Sequence, residues 1–204
     1  MTQTYPDHPN LNDNYAPLRM ECEVNDLIVE GEIPQDLYGS FYRNGPDPQF
    51  PPLGQYHWFG GDGMVHAFHF ENGKISYLNR WSKTSKWLQE RKAGKSLIDG
   101  LNPINSDPQW NPEGSDGTAN TNIIFHAGKL LALEEGHVPF ELDPMTLESK
   151  GAYDYGGKLK SPMTAHPKID PVSGDMYGFS YTAENFFSSK TVSYTHLRAH
   201  ETRH

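Results

Sequence analysis

Cysteine is almost missing from this chain: Cys22 is the only one in 204 residues. A single thiol excludes an intrachain disulfide framework and fits a reducing compartment. Its expected role is that of a small strand hydrophobe, not a nucleophile. Positive charge is also scarce, with 17 Lys and Arg against 26 Asp and Glu and a formal net charge of −9. That balance argues against nucleic acid as a partner, because phosphates demand a basic surface. Long apolar runs are absent too, none approaching the ~20 residues of a membrane-spanning helix. The opening M-T-Q-T-Y-P-D-H-P-N is polar and lacks a signal-peptide core. The expectation is a soluble, cytoplasmic protein.

Turn formers and aromatic residues are abundant. The 19 Gly and 16 Pro imply frequent chain reversals, and the 12% of Phe, Trp and Tyr suits strands. Residues 1–24 are rich in Pro and Asn and predict an arm lying on a larger body. Asp26 to Glu32 alternates as a strand, and Ser40 to Arg43 predicts the next. Asn44-Gly45-Pro46-Asp47-Pro48 is a breaker cluster whose favoured reading is a surface loop.

Met64–Phe70 and Ile75–Trp81 predict a hairpin turning at Asn72-Gly73. His66 and His69, three apart on that strand, face opposite sides and form no metal clip. Thr84 to Lys95 predicts the one helical or irregular polar segment, followed by a long loop from Asp99 to Gly117. A loop of that length is more often functional or partner-covering than idle. Asn122–Phe125 and Leu130–Leu133 predict a second hairpin about Ala127-Gly128. Phe140–Pro144 and Leu159–Pro162 continue the strand pattern. A third hairpin turns at Ser173-Gly174-Asp175. The turn glycines Gly73, Gly128 and Gly174 recur at an interval of roughly 50 residues, which suggests blades of a β-propeller. Two or three blades fit in this length, fewer than the four to eight that close a ring.

His166 ends the extended segment Ser161–Ala165. Pro167 biases it toward β or polyproline II geometry, and the turn at Asp170-Pro171 stiffens the chain just beyond it. Such a histidine can project into a central cavity. Spacing alone leaves open the reading of a packed, hydrogen-bonded side chain.

Several motifs taken together are similar to the carotenoid cleavage oxygenase family. They are R-N-G-P at 43–46, H-W-F-G-G-D-G-M-V-H-A-F at 57–68, A-N-T-N at 119–122, L-A-L-E-E at 131–135, E-L-D-P at 141–144 and T-A-H-P-K-I-D-P at 164–171. They stand in the family's order, from about Leu18 to Lys190, and the 80–94 stretch most resembles the bacterial lignostilbene dioxygenase branch. The resemblance implies an all-β fold: the first two to three blades of a seven-bladed propeller, preceded by the arm. It implies a non-haem Fe(II) held by four histidines, with O2 and a small apolar alkene as substrates and two carbonyl products. On this basis His166 matches the first iron ligand, and the other three fall outside this sequence. Glu135 matches a carboxylate that orients a later histidine. Glu134, its neighbour, is expected to point the opposite way, to solvent.

Lys86 resembles a lysine that meets a substrate phenol, and Tyr56 is a looser match to a tyrosine with the same task. A surface lysine and a strand-edge tyrosine are the alternative readings. The family usually carries an Asp where Gly60 or Gly61 falls. The parent's association with a membrane stays open, since family substrates are apolar. Two other function classes also stay open: a non-catalytic β-rich binding or scaffold module, and a Ca-dependent propeller hydrolase.

The family pattern stops at Lys190. His196, His200 and His204 recur every four residues and would share a helix face. Residues 192–202, however, can be encoded by a transposase-type sequencing adapter read through as if it were coding. The chain is therefore divided into residues 1–190, the N-terminal part of a propeller domain, and residues 191–204, a non-native tail excluded from fold reasoning.

Overall fold

The computed structural model describes residues 4–99, 103–180 and 192–197. Three antiparallel sheets succeed one another along the chain. The first contains β1 (Cys22–Val24), β2 (Gly39–Pro46), β3 (Gly63–Glu71) and β4 (Lys74–Trp81), in the order β1-β4-β3-β2. The second is the meander β5 (Asn122–His126), β6 (Lys129–Leu133), β7 (Phe140–Leu142) and β8 (Ser149–Ala152). The third contains β9 (Lys168–Ile169), β10 (Met176–Ser180) and β11 (Val192–Leu197), in the order β11-β10-β9. The helix α1 (Ser85–Ala93) joins the first sheet to the second and is the only α-helix among the described residues. None of the described helices is long and apolar enough to cross a membrane.

Local chemistry sets the hairpins. Asn72 and Gly73 both take positive φ, 52° and 72°, and Ala127 and Gly128 take 55° and 76°. Two consecutive positive-φ residues match the right-handed twist of the flanking strands. The helix α1 starts at Thr84, whose hydroxyl accepts from the Trp87 amide at 3.3 Å, and stops at Gly94 in the left-handed region.

The middle sheet is buried on both faces, and β6 shows how. Alternate side chains point to opposite faces. Leu130 and Ala132 join Val65, Ala67 and Leu78 in a core shared with the first sheet. Leu131 and Leu133 join Leu159, Met163, Ala165 and Met176 in a core shared with the third. That two-sided burial accounts for L-L-A-L lacking any polar alternation. At the inner edge, β2 lies against β5. The chain comes so close there that a Cβ on Gly63 would stand 2.7 Å from the Ala119 carbonyl carbon.

Three expectations are corrected. Asp26–Glu32 is not a strand: Cys22–Val24 already occupies the edge of β4, Asp26 turns the chain at φ 59°, and Ile28 is 98% exposed. The arm therefore supplies a strand as well as a covering. Asn44–Pro48 is not a surface loop. Asn44, Gly45 and Pro46 finish β2, and buried Asp47 accepts from the amides of Leu18 (2.8 Å) and Arg19 (3.4 Å). Leu159–Pro162 forms no strand; Ser149–Ala152 takes the outer place beside β7 instead. Of the tail histidines, His196 lies in strand β11, and His200 and His204 fall outside the described residues.

Candidate metal centre

His166 stands at the bend that leads into β9. The segment before it is buried at Met163, Thr164 and Ala165, whereas the His166 side chain is 64% exposed. The backbone is fixed at each step. The Met163 amide donates to the His137 carbonyl (3.2 Å), and the Thr164 amide donates to the Phe179 carbonyl (2.8 Å). Thr164 Oγ1 accepts from the His166 amide (3.1 Å), and Asn122 Nδ2 donates to the Ala165 carbonyl (2.7 Å). The imidazole is thus displayed to open space from a rigid turn.

Glu135, two residues beyond the end of β6, faces it. Glu135 Oε1 lies 3.9 Å from His166 Nε2, near enough for charge attraction and too far for a hydrogen bond. Glu135 Oε2 is buried with no hydrogen-bond partner among the described residues. A buried, unpaired carboxylate oxygen is costly, on the order of 1–3 kcal/mol, so its place calls for a donor. The donor set fits one part of a metal site: one displayed imidazole with an acceptor beside it, suited to orienting a second ring. Among the described residues no group of three or more His, Cys, Asp or Glu could hold a metal by itself.

Glu134 does not face solvent. The strand ends at Leu133, so alternation no longer sets its direction. Its carboxylate turns inward, accepting from the Gly136 amide at 2.8 Å and pairing with His137 Nδ1. Gly117 gives it room, since a Cβ there would strike both Glu134 and His137. Burial of His137 lowers its pKa, but hydrogen bonding to Glu134 and the charges of Glu134 and Asp116 outweigh this, and the net shift is upward. A raised histidine pKa adds stability that is complete below the unfolded value of about 6.5 and is lost as pH rises through the folded value. The parent's melting temperature should therefore fall as pH rises above the unfolded value of about 6.5, and His137→Gln should flatten that slope. An unchanged slope in thermal melts of the variant would remove the pair from the account.

Lys86 is not a surface residue. Its side chain is 7% exposed, and Nζ lies 2.8 Å from both Asp62 Oδ1 and Glu90 Oε2. Burial opposes its charge, yet the two carboxylates outweigh burial and hold its pKa above the ordinary lysine value. Asp62 also accepts from the Gln49 amide (3.0 Å), and Glu90 from the Leu97 amide (2.9 Å). Tyr56 is not on a strand edge either. It is buried in the loop before a short 3-10 turn at Trp58–Gly60, against the ring of His8 in the arm. Burial, then the charges of Asp62 and Asp47, push its phenol pKa well up. A Cβ on Gly61 would stand 2.6 Å from the Tyr56 hydroxyl, while a Cβ on Gly60 would meet nothing. The family's Asp therefore has room at Gly60 and none at Gly61.

The structure brings Glu135 and His166 together; Lys86, on α1, is buried in a network with Asp62 and Glu90, and Tyr56 is buried near enough to feel the Asp62 charge. His137, Asp62, Glu90 and Asn122 were not singled out by sequence reasoning. The i,i+4 spacing of Lys86 and Glu90 was a visible signal for one contact.

The chain's relatives are oxygenases. The family model described as "Retinal pigment epithelial membrane protein" matches residues 15–204, and the chain belongs to this family, the carotenoid cleavage oxygenases. It is 46% identical over 180 residues to an isoeugenol monooxygenase of Pseudomonas nitroreducens, covering 86% of this chain and 37% of that protein. It is 45% identical over 189 residues to lignostilbene-alpha,beta-dioxygenase isozyme III of Sphingomonas paucimobilis, covering 91% and 38%. In structure it is similar to the lignostilbene dioxygenase of Pseudomonas brassicacearum, with TM-score 0.85, 41% identity and coverage of 90% and 39%. A cobalt-substituted Synechocystis ACO also matches, with TM-score 0.69, 31% identity and coverage of 88% and 43%. The chain thus spans about two fifths of the length of these relatives.

Proposed function

We propose that this chain is the N-terminal part of a non-haem iron(II) oxygenase that uses O2 to split an alkene C=C bond into two carbonyl products. The observation that carries this reading is the pairing of displayed His166 with the buried, unpaired Glu135 carboxylate, in a chain of this family. Stilbene-like phenylpropanoids are favoured over apocarotenoids. Identity reaches 45–46% to relatives named for lignostilbene and isoeugenol, against 40% to a carotenoid 9,10-cleavage dioxygenase of Pisum sativum.

The three sheets are read as the first blades of a seven-bladed propeller, with the ends of the inner strands facing its axis. This is supported by the two-sided burial of the middle sheet and by the likeness to the lignostilbene dioxygenase structure. Iron(II), when bound, supplies the redox chemistry that makes O2 reactive toward an alkene. The residues of this chain hold and orient. His166 presents a ring nitrogen from a turn that cannot swing, and Glu135 stands ready to accept a proton-bearing nitrogen of a second imidazole, fixing its tautomer. Alone, this chain carries one ligand and is inactive. Residues 191–204 are read as adapter-derived, and an adapter-free clone encoding the same residues would overturn that.

The test is product analysis. The full-length parent, incubated with a 4-hydroxystilbene in air, should yield two aldehydes in equal amounts, identified by mass spectrometry. Recovery of intact alkene from iron-loaded protein, with apocarotenoids equally untouched, would overturn the proposal.

A further inference from the structure

We infer that Asn122 is a positioning residue for His166, holding the ligand-bearing turn to the neighbouring sheet. The inference rests on reading His166 as a metal ligand. The peptide unit between Ala165 and His166 is a rigid plane with two polar groups, and a side chain takes each one. Its N–H donates to Thr164 Oγ1 at 3.1 Å, and its carbonyl accepts from Asn122 Nδ2 at 2.7 Å. That plane fixes the His166 N and Cα, the base from which the side chain projects. Ala165 is wholly buried, so no solvent can replace Asn122 as a donor.

The Asn122 amide is itself oriented. Its Oδ1 accepts from the Ile123 amide at 2.8 Å, which leaves only the nitrogen end to face the Ala165 carbonyl. The backbone of Asn122 is anchored in turn by Asn44 Nδ2, which donates to its carbonyl at 2.9 Å. Asn122 is paired with Leu133 across β5 and β6, and Glu135 lies two residues beyond Leu133. The same hairpin end therefore supplies both the residue that aims His166 and the carboxylate that faces it. Thr164 acts within the turn, whereas Asn122 ties the turn to another sheet and fixes its distance from Glu135.

The experiment uses the full-length parent with Co(II) as the spectroscopic probe. Asn122→Asp keeps the shape but places a carboxylate against a carbonyl. It should weaken Co(II) binding roughly 10–100-fold, the usual range for groups that orient ligands, and shift the visible Co(II) absorption. In metal-free protein it should speed hydrogen exchange at the His166 amide. Asn44→Ala removes the anchor without touching the Ala165 carbonyl. It should lower the melting temperature and disturb Co(II) binding less than Asn122→Asp does. Asn122→Ser serves if the Asp variant does not fold. Unchanged His166 exchange in the Asn122 variant, or Co(II) spectra altered alike by Asn122 and Asn44 variants, would overturn the inference. If His166→Ala binds Co(II) as wild type does, the ligand reading fails instead, and the exchange measurement still decides whether Asn122 fixes the turn.

Discussion

Replacing His166 by alanine in the full-length parent is expected to abolish alkene cleavage and metal retention together. The loss should reach the detection limit rather than a modest fraction. Affinity in such a site comes from several ligands fixed in one geometry, and removing one breaks the geometry for the rest. His166 is suited to this test because its own side chain is largely exposed and makes no hydrogen bond seen among the described residues, so the fold loses little with it. The melting temperature of the metal-free protein should stay within a few degrees of wild type. Glu135→Gln should be milder, keeping the fold and losing roughly 10–100-fold in metal affinity. Cleavage that survives His166→Ala at a tenth of the wild-type rate would exclude His166 as a ligand.

Lys86→Met is expected to destabilise the protein by about 3–5 kcal/mol, the usual cost of removing one partner from a buried ion pair. Two carboxylates, Asp62 and Glu90, depend on the same ammonium, and both are almost wholly buried. The network also fastens Gln49 and Leu97, so its loss should reach the loop beneath α1 and the chain beyond the helix. Urea unfolding of the parent measures this. A residue serving chiefly to meet a substrate phenol would give the reverse pattern: unchanged stability, with turnover of phenolic stilbenes lowered selectively.

Much of this was legible in the sequence, and the rest was not for specific reasons. Asn72-Gly73 and Ala127-Gly128 announce hairpins because turn geometry is a local property. His166 between Ala165 and Pro167 announces a fixed backbone for the same reason. The burial of Lys86 was not legible because Asp62, which completes a buried triad with Glu90, is 24 residues away. Glu134 was misplaced because the strand rule was carried past Leu133, where the strand ends. Asn44-Gly45-Pro46 read as a loop because breakers are local signals. Its inclusion in β2 rests on pairing with Gly63–Val65 of β3, and Asn44 also bonds the carbonyls of Ala119 and Asn122, more than 70 residues away. Asp26–Glu32 has the pattern of a strand, but the positive-φ turn at Asp26 interrupts the chain after β1, and the Leu27 amide then adds a bond to the Ile75 carbonyl of β4.

The most direct measurement is the iron content of two proteins after dialysis against a chelator. One is the full-length parent, and the other is this chain without residues 191–204, whose histidines would capture metal from a purification column. If His166 is the one ligand in this chain, as proposed, elemental analysis should find stoichiometric iron in the parent and none above background in the shortened chain. Tightly held, stoichiometric iron in the shortened chain, or none in a parent that cleaves alkenes, would contradict the account.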